Sequence, residues 1–173
     1  LATNAVVEGH GGSAAAILIG FDDRMVQRTG IVAAFPDMPL LRVAGGHDHN
    51  GEAVQLFDHA ALREALEGLR DKVGSIAIAS TFAVRNNSHE LAARDMVADI
   101  LQLPVTLSSE LSSALDAPRR ALTAVLNARL IGHIARLIAA VKEAMLALSI
   151  DCPLMIMKGD GALASAESVV MRP

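Results

Sequence analysis

Lys158-Gly159-Asp160-Gly161 sets a cation, a carboxylate and two glycines directly after an apolar run over 153–157. Glycine lets the backbone approach a ligand closely, Asp160 is suited to hold a magnesium-bound water or accept a proton, and Lys158 to neutralise phosphate. A tight turn without a ligand fits the same four residues. His47-Asp48-His49 offers two imidazoles and a carboxylate, donors that zinc or another divalent ion accepts. Beside Asn50-Gly51, however, the cluster falls at the tip of a predicted turn with no distant third ligand, so a solvated surface turn is expected and no metal site is assigned. In Asn86-Asn87-Ser88-His89-Glu90 the Ser88 hydroxyl can cap a helix and Glu90 favours its positive end. The alternative is a functional role for His89 or Glu90. Ser108-Ser109-Glu110 stands at another strand exit, and Arg120 and Asn127, seven residues apart, share a helix face. Among Val125, Leu126 and Leu130, the Asn127 amide is expected to be buried and hydrogen-bonded to a neighbouring strand or loop.

Other chemistries lack their spacings. The sequence contains no G-x-x-x-x-G-K-[ST] phosphate loop, no G-x-S-x-G elbow, no H-E-x-x-H pair and no complete G-x-G-x-x-G. Gly9-His10-Gly11-Gly12 comes after a helical-looking segment and reads as a loop. The balance of 15 Lys+Arg against 19 Asp+Glu gives a formal charge of −4, which speaks against nucleic acid or an acidic membrane as partner. Cys152 is the single cysteine, so an internal disulfide framework is excluded, and a reducing, cytoplasmic setting is expected. Leu1-Ala2-Thr3-Asn4 does not read as the start of a secretory leader, and none is expected. The apolar region 121–150 is interrupted by Arg129, His133, Arg136, Lys142 and Glu143, which argues against a membrane span.

Hydrophobic periodicity supplies the scaffold for these groups. Apolar runs at 14–19, 75–79, 103–107 and 153–157 read as strands buried on both faces. Helical segments lie between them, which predicts an α/β fold with a mostly parallel sheet and covering helices. A first helix is predicted over 22–27, ending near Gly30, and another from Asp58 carrying Leu62, Leu66 and Leu69. Segments 40–43 and 53–56 flank Asn50-Gly51 and are read as an inserted β-hairpin. A helix after Ser88 buries Leu91, Met96, Val97, Ile100 and Leu101. The longest helix, from about Pro118 to Leu148, would be roughly 45 Å long and project beyond a small sheet. A short helix is expected from Ser165.

Five segments, in this order, resemble the hydantoinase/oxoprolinase A-type family, which includes acetone carboxylase beta-type subunits. They are Ala2-Thr3-Asn4-Ala5-Val6-Val7-Glu8-Gly9, Asn86-Asn87-Ser88-His89-Glu90, Ser109-Glu110-Leu111-Ser112, Arg120-Ala121-Leu122-Thr123-Ala124-Val125-Leu126-Asn127-Ala128 and Pro153-Leu154-Met155-Ile156-Met157-Lys158-Gly159-Asp160-Gly161. The resemblance implies ATP-driven chemistry on a cyclic amide or carbonyl, on an actin-like and sugar-kinase-like ATPase architecture. It also implies ATP and Mg2+ in the full-length parent, and a second copy or another subunit as partner. On that reading Asp160 and Lys158 are catalytic, and Thr3, Asn4, Gly159 and Gly161 border the nucleotide or substrate cleft. His89, Glu90, Arg120 and Asn127 then hold the scaffold. The family's Asp-x-Gly-Gly-Thr phosphate motifs do not occur here, so residues 1–173 are expected to be one α/β domain, an internal piece of a longer chain, inactive and without cofactor alone. A non-catalytic interaction domain is the competing expectation, resting on the long amphipathic helix.

Overall fold

The strand Ala14–Ile19 (β1) consists of six apolar residues, all buried, which is the pattern of a strand covered on both faces. In the computed structural model, which describes residues 12–157 and 161–166, β1 lies near the middle of a four-stranded parallel sheet. Its neighbours are Leu40–Val43 (β2) on one side and Ser75–Ser80 (β3) on the other, and Val105–Leu107 (β4) pairs with β3. The order is β2-β1-β3-β4.

Between β1 and β2 come Asp23–Thr29 (α1) and the single turn Ile31–Ala34 (α2). Asp22 caps α1 by accepting the Met25 N–H at 2.7 Å. His59–Glu67 (α3) leads into β3 and is capped by Asp58, whose carboxylate accepts the Ala61 N–H at 2.9 Å. Ser88–Ile100 (α4) joins β3 to β4, and Ser108–Leu111 (α5) and Ala117–Ala147 (α6) come after β4.

Side-chain alternation along the strands builds two cores. Ile17, Ile19, Ile76 and Ile78 meet Leu62 and Leu66 of α3 and Val97 of α4 on one face. Ala14, Ala16, Ala77 and Ala79 meet Ala121, Ala124, Val125 and Ala128 of α6 on the other. Alanine on both sides brings the α6 backbone close to the sheet. The Ser75 hydroxyl donates to the Ala128 carbonyl at 2.7 Å, and the Gly12 N–H to the Arg129 carbonyl at 2.9 Å. By length and composition α6 could cross a membrane, but its N-terminal half is committed to this core. Beyond the sheet it projects as expected, and Leu137, Val141 and Leu146 are exposed.

The expected α/β class stands, with a mostly parallel sheet, a separate hairpin and one long helix. The hairpin is elsewhere than expected. Segment 40–43 pairs in parallel with β1, and the Asn50-Gly51 turn closes only one antiparallel bridge, His47 to Ala53. The antiparallel pair is Met155–Met157 (β5) with Leu163–Ser165 (β6). Thus the fourth apolar run forms a strand that does not join the main sheet, and Met157 is 72% exposed. The physical reason lies in α6, whose 31 residues, ~46 Å at helical rise, carry the chain past the sheet before β5 begins. Ser165 ends β6 and Ala166 directly after it is helical, while residues 167–173, onto which the expected short helix would run, lie outside the described residues. Ser88 is the first helical residue of α4, not its cap. The cap position is Asn87, without a side-chain bond, while Asn86 accepts the Ser88 N–H.

Candidate functional site

With order β2-β1-β3-β4, the connections leaving β1 and β3 run to opposite faces of the sheet, which opens a crevice at their C-terminal ends. A cleft of about 700 Å³ occupies that position. It is walled by Gly20, Phe21 and Asp22 after β1, by Arg42 to Gly45 and His47 to His49 at the end of β2, and by Thr81 and Phe82 after β3. A smaller cleft of about 430 Å³ lies against Thr81 and Phe82 too, between α1 and the start of α6.

The three strand exits touch through backbone. The Gly20 N–H donates to Val43, the Thr81 N–H to Ile19 and the His47 N–H to Thr81. Such contact requires glycine at position 46, where φ is +87° and a Cβ would sit 2.1 Å from the Thr81 Oγ1. Phe82, a non-glycine residue at φ 49°, is in the left-handed region.

Behind the glycines lies a pair of imidazoles. His47 is 2% exposed, its ring centroid is 4.2 Å from that of His89, and its Nε2 is 3.3 Å from the Ser88 hydroxyl. Its Nδ1 has no hydrogen-bond partner. The His89 Nδ1 accepts the Gly46 N–H at 2.9 Å, which places any proton of neutral His89 on Nε2, and Phe57 stacks on the same ring. Burial pushes both imidazoles below their ordinary value of 6.5, opposed at His47 by Asp48 and reinforced at His89 by His47 and His59. Both are therefore neutral at neutral pH.

Depressed histidine values make stability depend on pH in one direction. The unfolded chain binds more protons, so this contribution is complete above the unfolded value of 6.5 and is lost as pH falls through the lowered folded values. Melting temperature should hold level above about pH 7 and drop toward about pH 5. His89→Asn, which keeps an acceptor for Gly46 without the titration, should flatten the profile. An unchanged slope would remove His89 from the cause.

The expectation of a solvated turn at His47 is thus corrected. His47 sits in the single bridge to Ala53 and is buried against His89 and Ser88, while His49 lies in the turn beyond the bridge and stays exposed. Among the described residues no group of three or more His, Cys, Asp or Glu could hold a metal ion.

Glu90 and Arg120 are both buried, 0% and 1% exposed, and are joined through the Ser80 peptide and the Ser108 hydroxyl. The Glu90 carboxylate accepts from the Ser80 N–H and Ser108 hydroxyl on one oxygen, and from the Ser109 N–H and hydroxyl on the other. Arg120 donates to the Ser80 and Ala114 carbonyls and, at 3.4 Å, to the Ser108 hydroxyl. The Asn127 amide donates to the Thr106 hydroxyl at 3.2 Å, tying α6 to β4. Thr3, Asn4, Lys158, Gly159 and Asp160 lie outside the described residues. Gly161 is exposed at φ +83°, and it is not among the residues lining the cleft. Sequence reasoning missed Gly20, Gly45, Gly46, Thr81 and Phe82. Their available signal was position alone, directly after the apolar runs of a doubly wound sheet.

Solved structures of longer chains share this fold. The ATP-dependent caprolactamase from Pseudomonas jessenii superposes with a TM-score of 0.73 at 24% identity, over 95% of this chain and 26% of its own. Acetone carboxylase in its nucleotide-free form gives 0.65 at 17%, over 96% and 27%. The chain therefore spans about a quarter of the length of either, and at these identities the likeness shows the fold. No curated protein matches the sequence significantly. The hydantoinase/oxoprolinase N-terminal region matches residues 1–101, more than half of the chain, and it is to this family that the chain belongs.

Proposed function

We propose that this chain is one α/β domain of a longer ATP-dependent enzyme that opens cyclic amides of the hydantoin or 5-oxoproline kind, and that it is inactive alone. The family match over residues 1–101 carries this reading. The two structures of like fold, both described as ATP-dependent, support it. On this reading the full-length parent consumes ATP with Mg2+ in the cytoplasm.

The described cleft does not fit a triphosphate. Among the described residues lining it, Arg42 is the one permanent cation, and its guanidinium is held by Asp23 and the Phe21 carbonyl. Asp22 and Asp48 add negative charge. No step through ATP is derived from this cleft.

The decisive assay supplies the full-length protein with Mg-ATP and hydantoin, 5-oxoproline or caprolactam, and tracks ADP and ring-opened product. ADP release coupled to ring opening is expected, with none from the isolated 173-residue chain. ADP release only with acetone and bicarbonate would favour the second reading, a carbonyl-activating subunit like that of acetone carboxylase. The exposed Leu137, Leu146 and Leu148 favour contact with a second copy or another subunit, whether or not the domain takes part in catalysis.

Asp160 and Lys158 are carried into this proposal as the catalytic carboxylate and cation, with Thr3, Asn4, Gly159 and Gly161 at the edge of the nucleotide or substrate cleft. In the full-length enzyme Asp160→Ala should lower kcat by about 10²–10⁴-fold with an unchanged melting temperature. Undiminished turnover would strike Asp160 from the mechanism.

A further inference from the structure

We infer that His89 fastens one wall of the cleft, and that a proton on its Nδ1 releases the segment between β2 and α3, residues 44–57, while the sheet stays folded. The device acts on the cleft itself and holds whatever ligand the cleft takes.

That segment supplies Gly45, His47, His49 and Gln55 to the cleft. Apolar burial does little to hold its far end, where Val54 is 64% and Leu56 90% exposed. The anchors are polar and converge on residues 81–89. The Gly46 N–H donates to the His89 Nδ1 at 2.9 Å, the His47 N–H to the Thr81 carbonyl at 3.2 Å, and the Asn86 amide to the Gly51 carbonyl at 2.9 Å. The Ser88 hydroxyl and the His47 Nε2 make a fourth contact at 3.3 Å. Gly45 passes so close that a Cβ there would lie 3.2 Å from the His89 Nδ1.

His89 accepts from Gly46 with the very lone pair that a proton would take. Once protonated, Nδ1 is a donor facing the Gly46 N–H donor, and a contact that held becomes one that repels. The new charge also stands against the His47 ring, 4.2 Å away, and in the apolar lee of Phe57. Release uncovers both imidazoles, so the open segment takes up protons that the closed one refuses, and acid favours opening. The ionisable groups facing His89 are His47 and, from α3, His59, and both oppose its charge. Asp48 acts on His47 in the opposite sense, and Glu90 is engaged by Ser80, Ser108 and Ser109. Opening returns each ring toward its ordinary value of 6.5, so release sets in below that value and the wall is closed at neutral pH.

Hydrogen exchange of the full-length protein, read by mass spectrometry at about pH 7.5 and about pH 5 and corrected for intrinsic rates, tests this. Peptides covering 44–57 should lose protection by about tenfold or more in acid, while those covering β1 and β3 keep theirs within about twofold. His89→Asn, which keeps an acceptor for Gly46 and cannot titrate, should abolish the response. Should that variant fold poorly, the exposed His59 offers a second handle. His59→Glu replaces an opposing imidazole by a carboxylate, favours the proton on His89, and should move the release upward by about half a pH unit or more. Protection of 44–57 that ignores pH, that falls in step with β3, or that falls equally in a folded His89→Asn protein overturns the inference, as does a midpoint unmoved or lowered by His59→Glu. Neither ATP nor substrate enters these measurements, so their outcome is separate from that of the ring-opening assay.

Discussion

Glu90→Ala is expected to destabilise the protein by about 3–5 kcal/mol, because it removes the buried carboxylate of a network whose other charged member, Arg120, stays buried. The substitution withdraws four acceptor contacts at once, from Ser80, Ser108 and both donors of Ser109. It also takes away the larger of the two negative charges that favour the buried Arg120 guanidinium. Burial already disfavours the charge on Arg120, with Glu90 first and Asp116 second opposing that effect. At this chain length the loss corresponds to a melting temperature lower by about 6–20 °C. Glu90→Gln should cost less, about 1–3 kcal/mol, because its NH2 must face a backbone N–H, of Ser80 or of Ser109, whichever way it turns. A double-mutant cycle with Arg120→Met should give a coupling of about 0.5–3 kcal/mol, since both side chains bracket the Ser80 peptide and share the Ser108 hydroxyl. A Glu90→Ala protein melting within a degree or two of the wild type would show that the network does not hold the sheet to α4 and α6.

The same network marks how far sequence reasoning reaches. Glu90, Arg120 and Asn127 stood out as polar groups at strand exits or among apolar neighbours, and those local signals suffice to nominate them. Their partners did not stand out, because Ser80 and Ser108 become acceptors and donors only when β3 and β4 lie side by side. Strands β1 and β3 were legible because burial on both faces imposes an unbroken apolar run. Strand β2 is at the sheet edge, partly exposed and four residues long, so the nearby Asn-Gly turn dominated its reading as a hairpin arm. That turn does form. Asp48 accepts the Asn50 and Glu52 N–H groups, but the tight loop ends after one bridge because β2 has already paired with β1. The burial of His47 depends on His89, 42 residues further along the chain, and no local pattern carries it.

Gly46→Ala should be as damaging as the loss of Glu90, through backbone conformation and steric overlap instead of charge. Alanine at φ +87° costs about 1–2 kcal/mol for the left-handed backbone alone. Its Cβ would then lie 2.1 Å from the Thr81 Oγ1, far inside contact distance, and relieving that overlap should cost a further ~1–3 kcal/mol. The move that relieves it separates the β2 exit from the β3 exit and pulls the Gly46 N–H away from the His89 Nδ1. Stability and cleft shape should therefore fail together, with a melting temperature lower by several degrees and any ligand of the cleft bound less tightly. Thr81→Ala separates the two causes. Combined with Gly46→Ala it removes the oxygen that the new methyl strikes, so the pair should be less damaging than the sum of the single substitutions, while the conformational share persists. Strict additivity would mean that the glycine is required for its backbone angle alone. In that case the close approach of the strand exits would not be what shapes the cleft.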